Sequence, residues 1–415
     1  MLVELFPRMH RRYSSLRLLG PILSDFAGWL HERGYPPRAV RRHVRAARRL
    51  EQRWHRRGAR SLGAICRTDF YVCAPGHAHD DPDLAAVARV LAAYFDEHGL
   101  LPCESRPDTP HEITEYRRHL ETLRGLAPST ITDHLGTASE FLRFVADHTP
   151  RISLARLTPT DLERFVRQIA SRVGRASLQH LVAHVRSFLR WLAAHGHAPK
   201  GLDDQIDTPR VYRQEQLPRA LPWDTVRALL HSIDRTTSIG RRDYAMLLLI
   251  ATYGLRTSEI VALTLDDVAW RRGELRVPRR KVGGVLVLPL TDDVGDAILD
   301  YVQHGRPTQP TRVVFLRARP PAGVLKPTAV TEVFQTCARR SGLAILFQGP
   351  HCLRHSLAVQ LLREGVSLKA IGDVLGHRTV ESTCLYLRLA TEDLRDVALS
   401  LPDSGAEPSG SGVRA

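Results

Sequence analysis

Apolar positions along this chain recur mostly at helical intervals, and alternate over only one short stretch. Ile131, Leu135, Ala138, Leu142 and Val145 repeat every three or four residues, the period of a helix that buries one face. Ser129 stands ahead of them as a cap, and Gly125–Pro128 separates them from an earlier helix through Ile113, Tyr116, Leu120 and Leu123. Leu157-Thr-Pro-Thr-Asp opens a helix through Leu162, Phe165 and Ile169, and Leu178, Val182, Val185, Leu189 and Leu192 mark another. These segments predict a small all-α domain over residues 109–197. Residues 198–220 are polar, contain proline and carry no pattern, which predicts a linker.

Upstream, Phe26, Trp29 and Leu30 precede a Gly34–Pro37 turn, after which Val44, Leu50 and Trp54 line one side of an Arg-rich helix. Helix, turn, basic helix is a faint echo of the next domain. Residues 1–108 are therefore expected to form an Arg-rich helical region, a diverged copy of the same module. Downstream, Val226, Leu229, Leu230 and Ile233 predict a helix, and Tyr244 to Tyr253 a buried one. Glu274–Val277 and Val285–Leu290 then read as two strands, joined through a turn with paired glycines that suits a hairpin. Val313–Leu316 reads as a further strand, and Val330, Val333, Phe334 and Cys337 as another helix. Residues 221–400 are thus expected to be mainly α with a small antiparallel sheet, an α+β domain, followed by a tail disordered by composition at 401–415. The fold expected is multidomain, with all-α modules ahead of that α+β domain.

Charge sharpens the picture. The 415 residues carry 59 Lys+Arg against 44 Asp+Glu, a formal net charge of +15. Such an excess favours a polyanionic partner, nucleic acid before an acidic membrane surface. No apolar run approaches the roughly 18 residues of a membrane span. Residues 1–60 hold 15 Arg and four acids, and Arg41, Arg42, Arg45 and Arg49 lie on the basic helix as candidate phosphate contacts. A solvated face is the competing reading of that run. Six cysteines form no disulfide framework and no secretory signal precedes them, so a reducing cytoplasm is expected. Cys66, Cys73, His77 and His79 cluster, but their spacing is not one that zinc sites use. No metal and no cofactor is expected.

The densest chemistry lies between His351 and Tyr386. His351 and Arg354 share a helix face at three-residue spacing. After Gly365 a second amphipathic segment (Leu368, Ile371, Val374, Leu375) reaches Gly376 and His377, and Tyr386 follows nine residues after His377. The stretch offers a guanidinium for phosphate oxygens, two imidazoles, and a phenol able to attack phosphorus. Upstream lie Gly254-Leu255-Arg256-Thr257-Ser258-Glu259, and Lys281 in the hairpin after Arg279 and Arg280. Only four lysines occur in the chain, which makes that placement informative.

Arg256 with Glu259, Lys281, His351-x-x-Arg354, Leu-Gly-His377 and Tyr386 together resemble the active-site set of the tyrosine recombinase (phage integrase) family. The resemblance covers residues 215–400 strongly and 109–197 more loosely, while residues 1–100 exceed the family's usual single helical DNA-binding domain. It implies a SAM-like helical core-binding domain, a catalytic domain, and a site-specific recombinase that cleaves and rejoins DNA through a 3′-phosphotyrosyl link without ATP or metal. It also implies roles. Arg256 and Arg354 clamp the non-bridging oxygens and lower the phenol pKa. His351 accepts the proton of Tyr386, His377 bonds a non-bridging oxygen, Lys281 protonates the leaving 5′-oxygen, and Glu259 orients His351 and the arginines. Arg279 and Arg280 join the N-terminal arginines as candidate DNA contacts.

The partners implied are double-stranded DNA bearing a specific recombination site and further copies of the chain, as a tetramer on paired sites, with companion recombinases in some systems. A bacterial, nucleoid-associated location and a role in integrating, excising or transposing a mobile element are expected. A type IB topoisomerase-like enzyme is the first alternative, since it shares the nucleophile but rejoins the same strand. A non-catalytic DNA-binding protein on the same scaffold is the second. The filled catalytic positions disfavour the latter. The HCLRH–LGH pairing and a helix expected over residues 391–400 favour a recombinase over a topoisomerase.

Overall fold

The computed structural model describes residues 1–66, 69–70, 81–101, 110–148, 154–211, 218–278, 284–346, 349–377 and 379–389. The chain divides into two compact units, one of Leu2–Phe26 with Arg42–Glu215 and one of Met1, Ala27–Arg41 and Gln216–Ala415.

In the first unit the Pro37–Arg56 helix, whose opening residues are assigned to the other unit, turns its apolar side inward, with Val44, Leu50 and Trp54 buried. Trp54 meets Phe70 edge-on at 5.1 Å, Phe70 meets Phe95 at 5.3 Å, and Phe26 meets Tyr94 at 5.3 Å. Aromatic rings from separate segments thus make a core of their own. The buried Glu51 carboxylate accepts the backbone N–H groups of Leu18 and Leu19 at 3.2 and 2.8 Å, so the one acid buried among the arginines is satisfied. The helices His111–Thr122, Pro128–His148, Pro159–Ala170 and Arg175–Ala194 enclose a second core containing Tyr116, Phe141, Phe165, Phe188 and Trp191. Thr158 and Asp161 form a reciprocal capping box that starts the third of these.

The other unit is built on the Ser238–Tyr253 helix, buried over most of its circumference from Ala245 to Ala251. Beside it lies an antiparallel sheet in the order β1-β2-β3, comprising Val268–Ala269, Glu274–Pro278 and Val285–Pro289. Leu275 pairs with Leu288 and Val277 with Leu286. The third strand differs from the one expected. Val313–Leu316 makes only isolated bridges, Thr264 to Val313 and Leu316 to Val324, and the two-residue β1 takes the remaining edge of β2. The backbone N–H groups of Val314 and Leu265 bond instead to the carbonyls of Leu263 and Arg312, which ties residues 312–314 to the end of the Thr257–Ala262 helix rather than to the sheet. The helix expected over residues 391–400 and the tail lie outside the described residues.

Candidate active site

The site is assembled from helix ends. The Ser238–Tyr253 helix stops at Gly254 in the left-handed region (φ 64°), and the Leu368–Leu375 helix stops the same way at Gly376 (φ 65°). Carbonyls in a last helical turn lack intrahelical partners and lie at the negative end of the helix dipole, so they attract cationic donors. Two arginines take them. Arg354, 3% exposed, donates one Nη to the Gly254 carbonyl and the other to the Leu375 carbonyl. Arg256 donates Nη2 to the Gly376 carbonyl at 3.1 Å. The consecutive residues Leu375 and Gly376 therefore each hold one guanidinium, which brings Arg256 and Arg354 together from elements about a hundred residues apart.

Glu259 fixes Arg256 in place. Its Oε1 accepts from Nη1 at 2.9 Å and its Oε2 from the Arg256 backbone N–H at 2.8 Å, at the start of the Thr257–Ala262 helix. Of the groups Glu259 is expected to orient, its described hydrogen bonds go to Arg256.

Tyr386 follows the short Glu381–Cys384 helix in a 3₁₀ turn, Leu385–Leu389. It is 2% exposed and packs in a small core with Leu357, Ala358, Val359, Ile371 and Leu375. The His377 ring stacks near it, with centroids 6.1 Å apart and planes 18° apart. His377 Nδ1 is itself 2.9 Å from the hydroxyl of the buried Thr383.

The hydroxyl of Tyr386 lies 2.9 Å from Nδ1 of His355, the last residue of the HCLRH motif, to which the sequence reading gives no role. His351 instead meets the His355 ring edge-to-face, centroids 4.5 Å apart. The role of proton acceptor expected for His351 is therefore not supported by contact, because a second imidazole holds the hydroxyl. A signal for it exists in the sequence. His355 is four residues after His351, one turn on along the same helix face.

Burial sets the protonation states. It pushes the Tyr386 phenol above its ordinary value, against the pull of Arg354. The expected lowering of that pKa by a guanidinium is present as a cause but is outweighed. His355 is lowered to about 4 by burial, then by His351, Arg354 and His377. His351 is exposed along part of its surface, yet it too is lowered, by desolvation first and then by Arg354 and Arg256. His351 and His355 are thus both neutral at pH 7, and the phenol keeps its proton.

Lys281, Arg279 and Arg280 fall between β2 and β3, outside the described residues, as do Cys73, His77 and His79. Of the N-terminal arginines, Arg42 lies 3.5 Å from Asp83, Arg49 lies 2.9 Å from Asp81, and Arg45 sits 5.8 Å from the Phe6 ring centre. Arg41, Arg42 and Arg45 are exposed and Arg49 is about half exposed at its side chain, and the acids that meet two of them come from the distant Pro82–Glu97 segment and its cap. No described helix is long and apolar enough to cross a membrane.

Fold and site point to one class, an enzyme that exchanges DNA strands through a tyrosine. Residues 219–393 match the phage integrase family, and residues 113–196 match the phage integrase N-terminal SAM-like domain. The putative integrase/recombinase y4rA of Sinorhizobium fredii is 34% identical over 393 residues, covering 92% of this chain and 95% of that one. Tyrosine recombinase XerC of Pelobacter propionicus is 29% identical over 287 residues, covering 69% of this chain and 93% of that one. A lambda integrase tetramer bound to a Holliday junction shares the fold, with a TM-score of 0.50 and 16% identity over 71% of this chain and 88% of that one. The chain belongs to the phage integrase family and is a tyrosine-type site-specific recombinase.

Proposed function

We propose that this recombinase cleaves duplex DNA at a specific site by attack of the Tyr386 hydroxyl on a backbone phosphorus, giving a 3′-phosphotyrosyl link and a free 5′-hydroxyl. The hydroxyl of a partner strand then attacks that link, displaces Tyr386 and completes the exchange. Ester energy is conserved at each step, so the chemistry requires no ATP. The observation that carries the reading is the pair of guanidinium groups on the Leu375 and Gly376 carbonyls, in the fold that also holds Tyr386 and His377.

The displacement builds negative charge on two non-bridging oxygens. Arginines already fixed by helix-end carbonyls and by Glu259 meet that charge with little reorganisation, which is where electrostatic catalysis is strongest. In this reading Arg256 and Arg354 clamp the oxygens without a metal ion. His377 and His351 donate to phosphoryl oxygens, the phenol proton leaves along its hydrogen bond to His355 as the bond to phosphorus forms, and Lys281 protonates the leaving 5′-oxygen. Arg279 and Arg280, with Arg41, Arg42, Arg45 and Arg49, contact the DNA backbone. The Holliday-junction tetramer of lambda integrase and the integrase names of the relatives support action as a tetramer on paired sites, serving the integration, excision or transposition of a mobile element. Companion recombinases belong to that reading for systems whose two sites differ, as does action in the bacterial nucleoid.

A nicked suicide substrate tests the nucleophile. Tyr386→Phe keeps the buried ring and removes only the hydroxyl. It should yield no covalent protein–DNA adduct while binding the site within about threefold of the parent. An adduct of normal yield from the Phe variant would move the nucleophile elsewhere.

A further inference from the structure

We propose that His355 is a positioning residue for the reaction: its imidazole Nδ1 holds the hydroxyl of Tyr386 and sets the direction from which the phenol oxygen meets phosphorus. The inference rests on Tyr386 being the nucleophile.

Three observations carry it. Nδ1 and the hydroxyl are 2.9 Å apart, and the tyrosine side chain is almost wholly enclosed. A buried hydroxyl must donate its proton to something, because leaving that bond unmade forfeits the full desolvation penalty. His355 is the hydrogen-bond partner the described residues give it, so Nδ1 accepts and the ring proton resides on Nε2. With the O–H vector spent on His355, the lone pairs of the phenol oxygen are left for phosphorus.

The His355 ring is itself held. It meets the His351 ring edge-to-face at 4.5 Å and lies 5.6 Å from the Tyr386 ring. It projects from the turn of the His351–Arg363 helix that also carries Arg354. Nucleophile direction and phosphate clamp are therefore set by neighbouring residues on one rigid element, and they move together or not at all.

Before attack the role of His355 is orientation, because the hydroxyl it holds at 2.9 Å keeps its proton. Burial holds the phenol above its ordinary value and His355 near 4, so in the resting site the proton stays on Tyr386. His355 acts as a neutral acceptor, and its value lies in alignment, where a displacement of about 1 Å costs on the order of a hundredfold.

Asparagine and glutamine separate this from a packing role. Asn Oδ1 is as many bonds from Cα as His Nδ1, so His355→Asn keeps an acceptor at the hydroxyl. Gln places its acceptor one atom further out, and Ala has none. Single-turnover cleavage of a suicide substrate at saturating DNA should fall about tenfold to a hundredfold in His355→Ala and His355→Gln. It should recover to within about threefold in His355→Asn, with half-saturating DNA unchanged throughout. A 5′-phosphorothiolate substrate should leave the Ala deficit in place, because its leaving group needs no proton and the defect is on the nucleophile side. Melting curves identify any variant that fails to fold, and His355→Asn then carries the test alone.

The proposal is overturned if His355→Ala cleaves at the parent rate or faster, if Asn is as impaired as Ala while folded, or if the thiolate substrate restores the Ala variant. Tyr386→Phe is run alongside. An adduct from that variant would sink the nucleophile assignment itself, whereas its absence with an unimpaired His355→Ala would sink only the positioning role.

Discussion

Gly254 is the position where one methyl group tests the architecture of the site. Its φ of 64° lies in the left-handed region, and a Cβ built there would be 2.5 Å from Leu375 Cδ2, 3.3 Å from Leu357 Cδ2 and 3.4 Å from Arg354 Cγ. The backbone term for an L-residue at such a φ is roughly 1–2 kcal/mol. The steric term depends on whether Leu375 can retreat. It is fully buried, so its methyl has no open space, and overpacking of this kind costs about 1–3 kcal/mol. Gly254→Ala should therefore destabilise the catalytic domain by roughly 2–5 kcal/mol. For a domain of this size that lowers Tm by roughly 5–15 °C.

A matched control separates the two terms. Gly273 has nearly the same φ, 62°, but a Cβ there meets nothing within 4 Å. Gly273→Ala should show only the backbone term, about 1–2 kcal/mol, so the difference between the variants reads the packing around Leu375. Thermal unfolding of both, followed as the transition of the catalytic domain, measures it. Because the Gly254 and Leu375 carbonyls both accept from Arg354, the Gly254 variant should also fall at least about tenfold in covalent trapping below its melting temperature. Equal Tm values for the two alanine variants, or full trapping by Gly254→Ala, would refute the view that this helix end positions the arginine.

Three further outcomes are expected. Lys281→Ala should slow cleavage of an ordinary 5′-oxygen leaving group about 10²–10⁴-fold and a 5′-phosphorothiolate little, whereas equal losses on both would remove the general-acid role. Replacing Arg41, Arg42, Arg45 and Arg49 with Gln should flatten the log–log salt dependence of DNA binding by about 0.9 for each phosphate no longer neutralised, and an unchanged slope would return that helix to a solvated face. In the helical module His134 is lowered to about 4 and His184 is also lowered, both chiefly by burial, so the unfolded chain binds more protons than the folded one between pH 4 and 6.5. Stability of that module should be full above pH 6.5 and decline as pH falls toward 4, and a His134→Asn/His184→Asn double variant should decline less; identical pH profiles for variant and parent would contradict this.

How much of this can be read from the sequence depends on the range of the interaction involved. Arg256, Arg354, His377 and Tyr386 can be found because each sits at a fixed offset from a helix end or a glycine, and helix periodicity is a local property. The glycines of Gly-Leu-Arg and Leu-Gly-His are visible, but their common purpose is not. That purpose needs Leu375 and Gly376 to lie beside Arg354 and Arg256, a contact across 120 residues in the case of Gly376. The true edge strand β1 escapes detection because two residues leave no alternation to see, while Val313–Leu316 has strand composition and spends it on isolated bridges. The ion pairs of Arg42 and Arg49 with Asp83 and Asp81 are likewise invisible, since nothing local couples those segments. His355 is the instructive case. Its spacing from His351 is in plain view, yet an imidazole directly after the family's arginine reads as helix filling until the hydroxyl is found at its edge.

If the reaction runs as proposed, with Tyr386 as nucleophile, the electrostatics of the resting site bear on the order of its steps. Tyr386 is buried and holds its proton against the pull of Arg354, so desolvation outweighs the guanidinium while no phosphate is present. Both arginines are meanwhile held by neutral carbonyls and, for Arg256, by one carboxylate. A neutral carbonyl fixes a guanidinium without cancelling its charge, so the Gly254 and Leu375 carbonyls hold Arg354 without quenching it, whereas Glu259 offsets part of the charge of Arg256. A nucleophile ionised in advance would be a buried phenolate paired with Arg354, an arrangement whose desolvation cost grows once the phosphate competes for the same cation. Keeping the phenol neutral removes that competition. In the proposed reaction Arg354 then meets the phosphate with no phenolate to compete for it, and the tyrosine oxygen gives up its proton only as the bond to phosphorus forms.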